Sequence, residues 1–132
     1  MMMRLRYMPM LALLFMLPLA VKADAIEKIA EYLKKGSSTE LSQLFANSVD
    51  VSIANESSVY SKTQAQMILD KFFKENKPHG VKLLHRVSSN PSYNFAVYIL
   101  TTDKGKFRIA CTLKEVNKVM EIIELRVETE KT

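Results

Sequence analysis

Four side chains could together carry acid–base chemistry: Tyr60, His85, Tyr98 and Glu121. A histidine titrates near neutral pH and transfers protons when partners position it. A tyrosine hydroxyl donates a hydrogen bond, and a carboxylate takes up a proton, so the set contains the parts of a proton-transfer site. Other chemistries lack their residues. His79, His85 and Cys111 are the only imidazole and thiol ligands, and they show neither HExxH nor CxxC spacing. No metal site is expected from them. The sequence has only three glycines and no glycine-rich phosphate loop. No local signature joins Cys111 to a base as a nucleophile requires, and no cofactor is expected.

Each of these residues also has a plain structural explanation. Strict strand alternation puts His85 on one face with Val81, Leu83 and Val87, which predicts a hydrogen-bonded core histidine. Tyr60 ends a strand just before Ser61, where it packs with its hydroxyl partnered. Tyr98 shares a face with Ala96 and Leu100. Glu121 is the best carboxylate for an interior position, and a place at a strand edge accounts for it equally well. Arg108 alternates with Phe107 and Ile109, so it points away from the core, to solvent or to a dimer seam. Cys111, between Ile109 and Leu113 on one face, reads as a small apolar core residue.

The elements that position them follow from period and punctuation. Asp24 with Glu27 has capping-box spacing, and Ile26, Ile29, Ala30 and Leu33 repeat at helical period up to Gly36. Ser37 with Glu40 opens a second short helix. Val49, Val51 and Ile53 then alternate with Asp50 and Ser52, a strand with one wet face, and "ANES" turns it back through 58–60. Ser61 with Gln64 starts a long helix whose apolar side holds Ala65, Ile68, Leu69, Phe72 and Phe73; Asn76 and Pro78 stop it. Four strands follow, at 81–88, 93–102, 106–115 and 119–128, joined by short turns that force antiparallel neighbours. Segregated helices and such a sheet predict an α+β fold, a curved antiparallel sheet with helices packed in its concave face.

The first 23 residues have a different character. Arg4 and Arg6 precede an uncharged run over 7–21, and "VKA" ends it. This is the layout of a secretory signal peptide removed after Ala23. The run is shorter than the ~20 residues a membrane span needs, and Pro9 and Pro18 interrupt it. The reading is therefore a leader 1–23 and a single mature domain 24–132, exported to the periplasm or beyond, with no membrane span. Three of the 19 basic residues (Arg4, Arg6, Lys22) lie in the leader and all 14 acids beyond it, so the formal charge falls from +5 to +2. Lys and Glu are interspersed, which argues against a nucleic-acid surface. One cysteine allows no internal disulfide.

The stretch "SYNFAVYIL" raises one more expectation. Phe95, Val97 and Ile99 point one way, while Ala96, Tyr98 and Leu100 point the other. Helices cover one of these faces. An apolar second face marks an interaction surface, and a homodimer through the sheet face is the expected cover. A small apolar ligand or an envelope protein is the remaining candidate partner.

The order of elements resembles the nuclear transport factor 2-like fold, also called cystatin-like. "VYSKTQAQMILDKFFKENKP", with the later "LLHRVSSN" and "KFRIACTLKE", is similar to small secreted proteins grouped as domain of unknown function 4783. Tyr60, Ser61, Lys62, Gln64 and Ala65 open the long helix in that pattern. Phe72, Phe73, Asn76 and Pro78 close it, and His85 follows in mid-strand. Val87 departs from the pattern, standing where a glycine is expected. The family resemblance implies bacterial export, an unassigned role and no catalytic residues. The wider fold includes isomerases and dehydratases with a base and Tyr donors inside the cone. The leading reading is thus a secreted, non-catalytic binding or interaction module. The alternative is a small pocket enzyme of isomerase or dehydratase type using His85 and a Tyr.

Overall fold

The structure is a computed structural model that describes residues 24–130. The expected leader, 1–23, lies outside the described residues. Helix α1, Ala25–Lys35, begins where the Asp24 carboxylate accepts the Glu27 N–H at 2.9 Å. It ends at Gly36, whose φ of +67° is left-handed. Any side chain at Gly36 would also press on the Pro78 ring, because its Cβ would stand 3.2 Å from the nearest ring carbon. Helix α2, Ser38–Gln43, is capped by Ser37.

Strands β1, Phe45–Ile53, and β2, Glu56–Ser61, form a hairpin. Its two-residue turn holds Ala54 and Asn55 at positive φ, the twist that suits a tight antiparallel turn. Helix α3, Lys62–Glu75, opens on a reciprocal capping box: Ser61 accepts from the Gln64 N–H, and the Gln64 side chain accepts from the Ser61 N–H. The chain then lays down β3, Pro78–Asn90, β4, Tyr93–Thr102, β5, Gly105–Val116, and β6, Val119–Thr129. Gly105 (φ +125°) closes the β4–β5 turn, and Asn117-Lys118 make the β5–β6 turn.

The six strands lie in the order β2-β1-β6-β5-β4-β3, and the sheet is open. The fold is α+β, as the element order predicts. One pairing differs from a purely antiparallel sheet: β1 runs parallel to β6. Short turns dictate direction only for strands they join. Here α3 carries the chain to the far edge of the sheet, and the meander returns to meet β1 in the same direction.

The helices fill the concave face. Ile26, Ile29 and Leu33 of α1, and Leu69 and Phe72 of α3, close over Tyr98, Leu100, Cys111, Leu113, Ile122 and Leu125 of the sheet. Each of those six strand residues is at most 1% exposed. Burial of such side chains contributes about 1.5–3 kcal/mol apiece, which is what holds the helices in the curve of the sheet.

Two expectations on β3 need correction. Leu83 sits opposite Tyr98, yet His85 sits opposite Val97, so Leu84 is an extra residue. This bulge shifts parity by one. Val81 and Leu83 face the helices, whereas His85 and Val87 face outward. His85 is exposed rather than a core histidine. The bulge forms even though Val87 stands in place of the expected glycine.

Candidate functional site

The structure places the four candidate residues in four separate surroundings. Tyr98 is wholly buried under α1, where its hydroxyl donates to the Ile26 carbonyl at 2.8 Å. Burial pushes its phenol well above the ordinary tyrosine value. His85 is exposed on the convex face, on the opposite side of the sheet from Tyr98. Tyr60 pairs with Val49 on β1, at the other edge of the sheet from β3. Glu121 is half-buried on the convex side of β6, opposite Lys114. An acid–base site joining His85 to Tyr60 or Tyr98 would need both on one surface, and this fold separates them by a sheet face or by the full width of the sheet.

Inside the cone the polar groups are matched. Among the described residues, no buried side-chain nitrogen or oxygen lacks a hydrogen-bond partner. Cys111 is fully buried beside Tyr98, and burial pushes its thiol up, away from the reactive thiolate. Among the described residues no three His, Cys, Asp or Glu side chains converge as metal ligands. No helix among them is long and apolar enough to cross a membrane.

Two surface hollows stand out among the described residues. The first, of about 360 Å³, lies between the β1–β2 hairpin and α3. Val51, Ile53, Tyr60, Ile68 and Phe72 make its apolar floor, and Glu56, Lys71 and Glu75 stand around its rim. The rim charges are well solvated: Lys71 and Glu75 pair with each other on exposed turns of α3.

The second hollow, of about 330 Å³, is on the convex face. It follows from one cross-strand row: His85 on β3, Val97 on β4, Ala110 on β5, Arg126 on β6. The short Ala110 side chain leaves a depression between longer neighbours. Phe95 and Val97 share the floor, and Arg108, Arg126, His85 and Glu128 make the walls. Val97 is only 5% exposed although it faces away from the core. Long side chains with apolar stems cover such a residue while their charged heads stay wet. That accounts for part of the two-faced apolar pattern of β4 within the monomer.

Sequence reasoning placed Arg108 on this face but missed Arg126 and Ala110. The signal was the alternation in "KFRIACTL" and "IELRVET", in which a small residue stands two positions from one arginine and the other arginine falls on the next strand at the same level.

A curved sheet with three helices in its concavity defines the nuclear transport factor 2-like class. A protein of that class from Silicibacter pomeroyi, itself of unknown function, superposes with a TM-score of 0.59 at 10% identity, over 80% of this chain and 89% of that one. Within the class, the chain belongs to the family described as domain of unknown function DUF4783, whose model matches residues 26–128. A DUF4783 family protein from Bacteroides uniformis is 26% identical, with a TM-score of 0.78, over 83% of this chain and all of that one. Another, from Bacteroides ovatus, is 28% identical with a TM-score of 0.75, over 79% and 94%. No curated protein matches the sequence.

Proposed function

We propose that the domain is an exported, non-catalytic binding module that works as a homodimer. The observation that carries this reading is the filled cone. The space where an enzyme of this class would keep its pocket holds Tyr98, Leu100, Leu113 and Ile122, each at 0% exposure. Recognition then belongs to the outer surfaces, for a small apolar ligand or an envelope protein. Export is supported by the Arg4 and Arg6 start, the uncharged run and the "VKA" boundary. Dimerisation is supported by one end of the convex face, beyond the His85–Arg126 row, where Val87 (38% exposed) and Tyr93 (44%) stand open to solvent.

Three measurements on protein recovered from cells expressing the full chain test the reading. Intact mass should begin at Asp24, and a species keeping residues 1–23 removes the secretory assignment. Sedimentation at micromolar concentration should give a dimer, and a clean monomer removes the pairing. Leu100→Ala and Leu113→Ala should each lower stability by about 2–5 kcal/mol, the cost of emptying a packed core. An interior that tolerates both at no cost would behave as a functional cavity and put catalysis first.

A further inference from the structure

The convex hollow combines features that single out one kind of guest. Arg108 and Arg126 are diagonal neighbours, since Arg108 sits opposite Glu128 and Arg126 opposite Ala110. Each carries a planar guanidinium with several N–H donors in a fixed fork. Arg108 is held at one nitrogen, Nε to Glu130 at 3.2 Å. Arg126 takes part in none of the ion pairs among the described residues. Beside them lies the apolar floor, Ala110 on β5 with Phe95 and Val97 on β4, and His85 on β3 stands on the opposite wall.

We propose that this hollow binds a small aliphatic carboxylate, its head on the Arg108–Arg126 pair and its tail on Phe95, Val97 and Ala110. A planar guanidinium matches a carboxylate with two parallel hydrogen bonds, and two such forks side by side favour a single anionic head. The volume, about 330 Å³, suits a compact tail over an apolar floor. Glu128, the one acid in the lining, lowers the positive field and so disfavours a dianion such as a phosphate. A cationic head would instead face both guanidiniums. The other account of the same residues is that the arginine stems do no more than cover Val97. The proposal rests on the binding-module reading and assigns that module a ligand class.

The probe is hexanoate, titrated into protein recovered from cells expressing the full chain and followed by backbone amide shifts. Saturable binding is expected, with the largest shifts at Val97, Ala110 and Arg126. Arg126→Met should weaken it about tenfold, the loss of one charge-assisted contact. Ala110→Leu, which fills the hollow, should abolish it, and thermal melts establish that both variants are folded. Hexylammonium should not bind, and hexyl phosphate should bind more weakly than hexanoate. Lack of saturation at tens of millimolar overturns the proposal, as does equal binding in folded Arg126→Met and Ala110→Leu. Hexyl phosphate or hexylammonium binding better than hexanoate overturns the carboxylate assignment. None of these results touches the filled cone or the oligomeric state, so the ligand can fail while the wider reading stands.

Discussion

The Tyr98 hydroxyl reaches from the middle of β4 to the Ile26 carbonyl in the first turn of α1, 2.8 Å away and out of contact with water. It is a tie between helix and sheet. A buried tyrosine keeps its apolar ring in the core only if its polar tip finds a partner. Tyr98→Phe retains the ring and deletes the tie. We expect a loss of about 1 kcal/mol, a fall in melting midpoint of roughly 4 °C for a domain of this size. A melt unchanged from wild type would mean the hydroxyl does not anchor α1.

The same helix is pinned at its start by a charge. Asp24 caps α1 and also takes the Arg86 guanidinium from β3. Burial alone would raise its carboxyl, but the Glu27 N–H and Arg86 outweigh that and hold it below the ordinary value. Because the folded value is depressed, the stabilisation is present above the unfolded pKa and is lost as pH falls through the folded one. The loss should therefore set in below about pH 4. Both side chains are more than a third exposed (38% and 44%), so the screened ion pair is worth under about 1 kcal/mol. Asp24→Asn keeps the cap and removes the charge. Its urea midpoint should change less than wild type between pH 5 and the acid limb; parallel curves would show that the charge contributes nothing.

The capping and turn signals of this fold were legible because they are local. Asp24 with Glu27, Ser61 with Gln64, and the Asn117-Lys118 turn each complete their hydrogen bonds or twist within four residues. The inner face of β4 was legible for a similar reason, since period two is a property of the strand itself. The parallel contact between β1 and β6 was not, because its partners, such as Val51 and Leu125, lie far apart in sequence and no turn links them. The bulge at Leu84 was also hidden. No glycine or proline marks it, yet one extra residue moves His85 from the helix side to the convex side. The candidate residues could be named from their types, but their grouping depended on that parity and on sheet order. The Arg108–Arg126 pair emerges only once β5 and β6 are in register.

His85 carries the consequence of the bulge. A core histidine would leave a cavity and an unpaired partner when truncated, but an exposed one leaves neither. We expect His85→Ala to shift stability by no more than about 0.5 kcal/mol. Leu83→Ala, just before the bulge and on the helix side, serves as a comparison on the same strand. A large loss for His85→Ala in thermal melts would restore the inward orientation that strict alternation predicts.

Cys111 gives the sharpest reading of whether the cone is closed in solution. It lies opposite Ala96 on β4 and Leu125 on β6, with no exposed surface. Its thiol is both screened from reagents and kept protonated by burial. A disulfide reagent should therefore fail to label the native protein and label it fully in denaturant, with a rate between those limits that follows the opening of the core. Cys111→Ala should cost about 1–2 kcal/mol for the lost packing. Cys111→Ser should cost more, about 2–3 kcal/mol, because a hydroxyl among Tyr98, Leu113 and Ile109 has poorer company than a thiol. Fast labelling of the native protein would show that reagents enter the interior, and with it that the cone is open to small molecules.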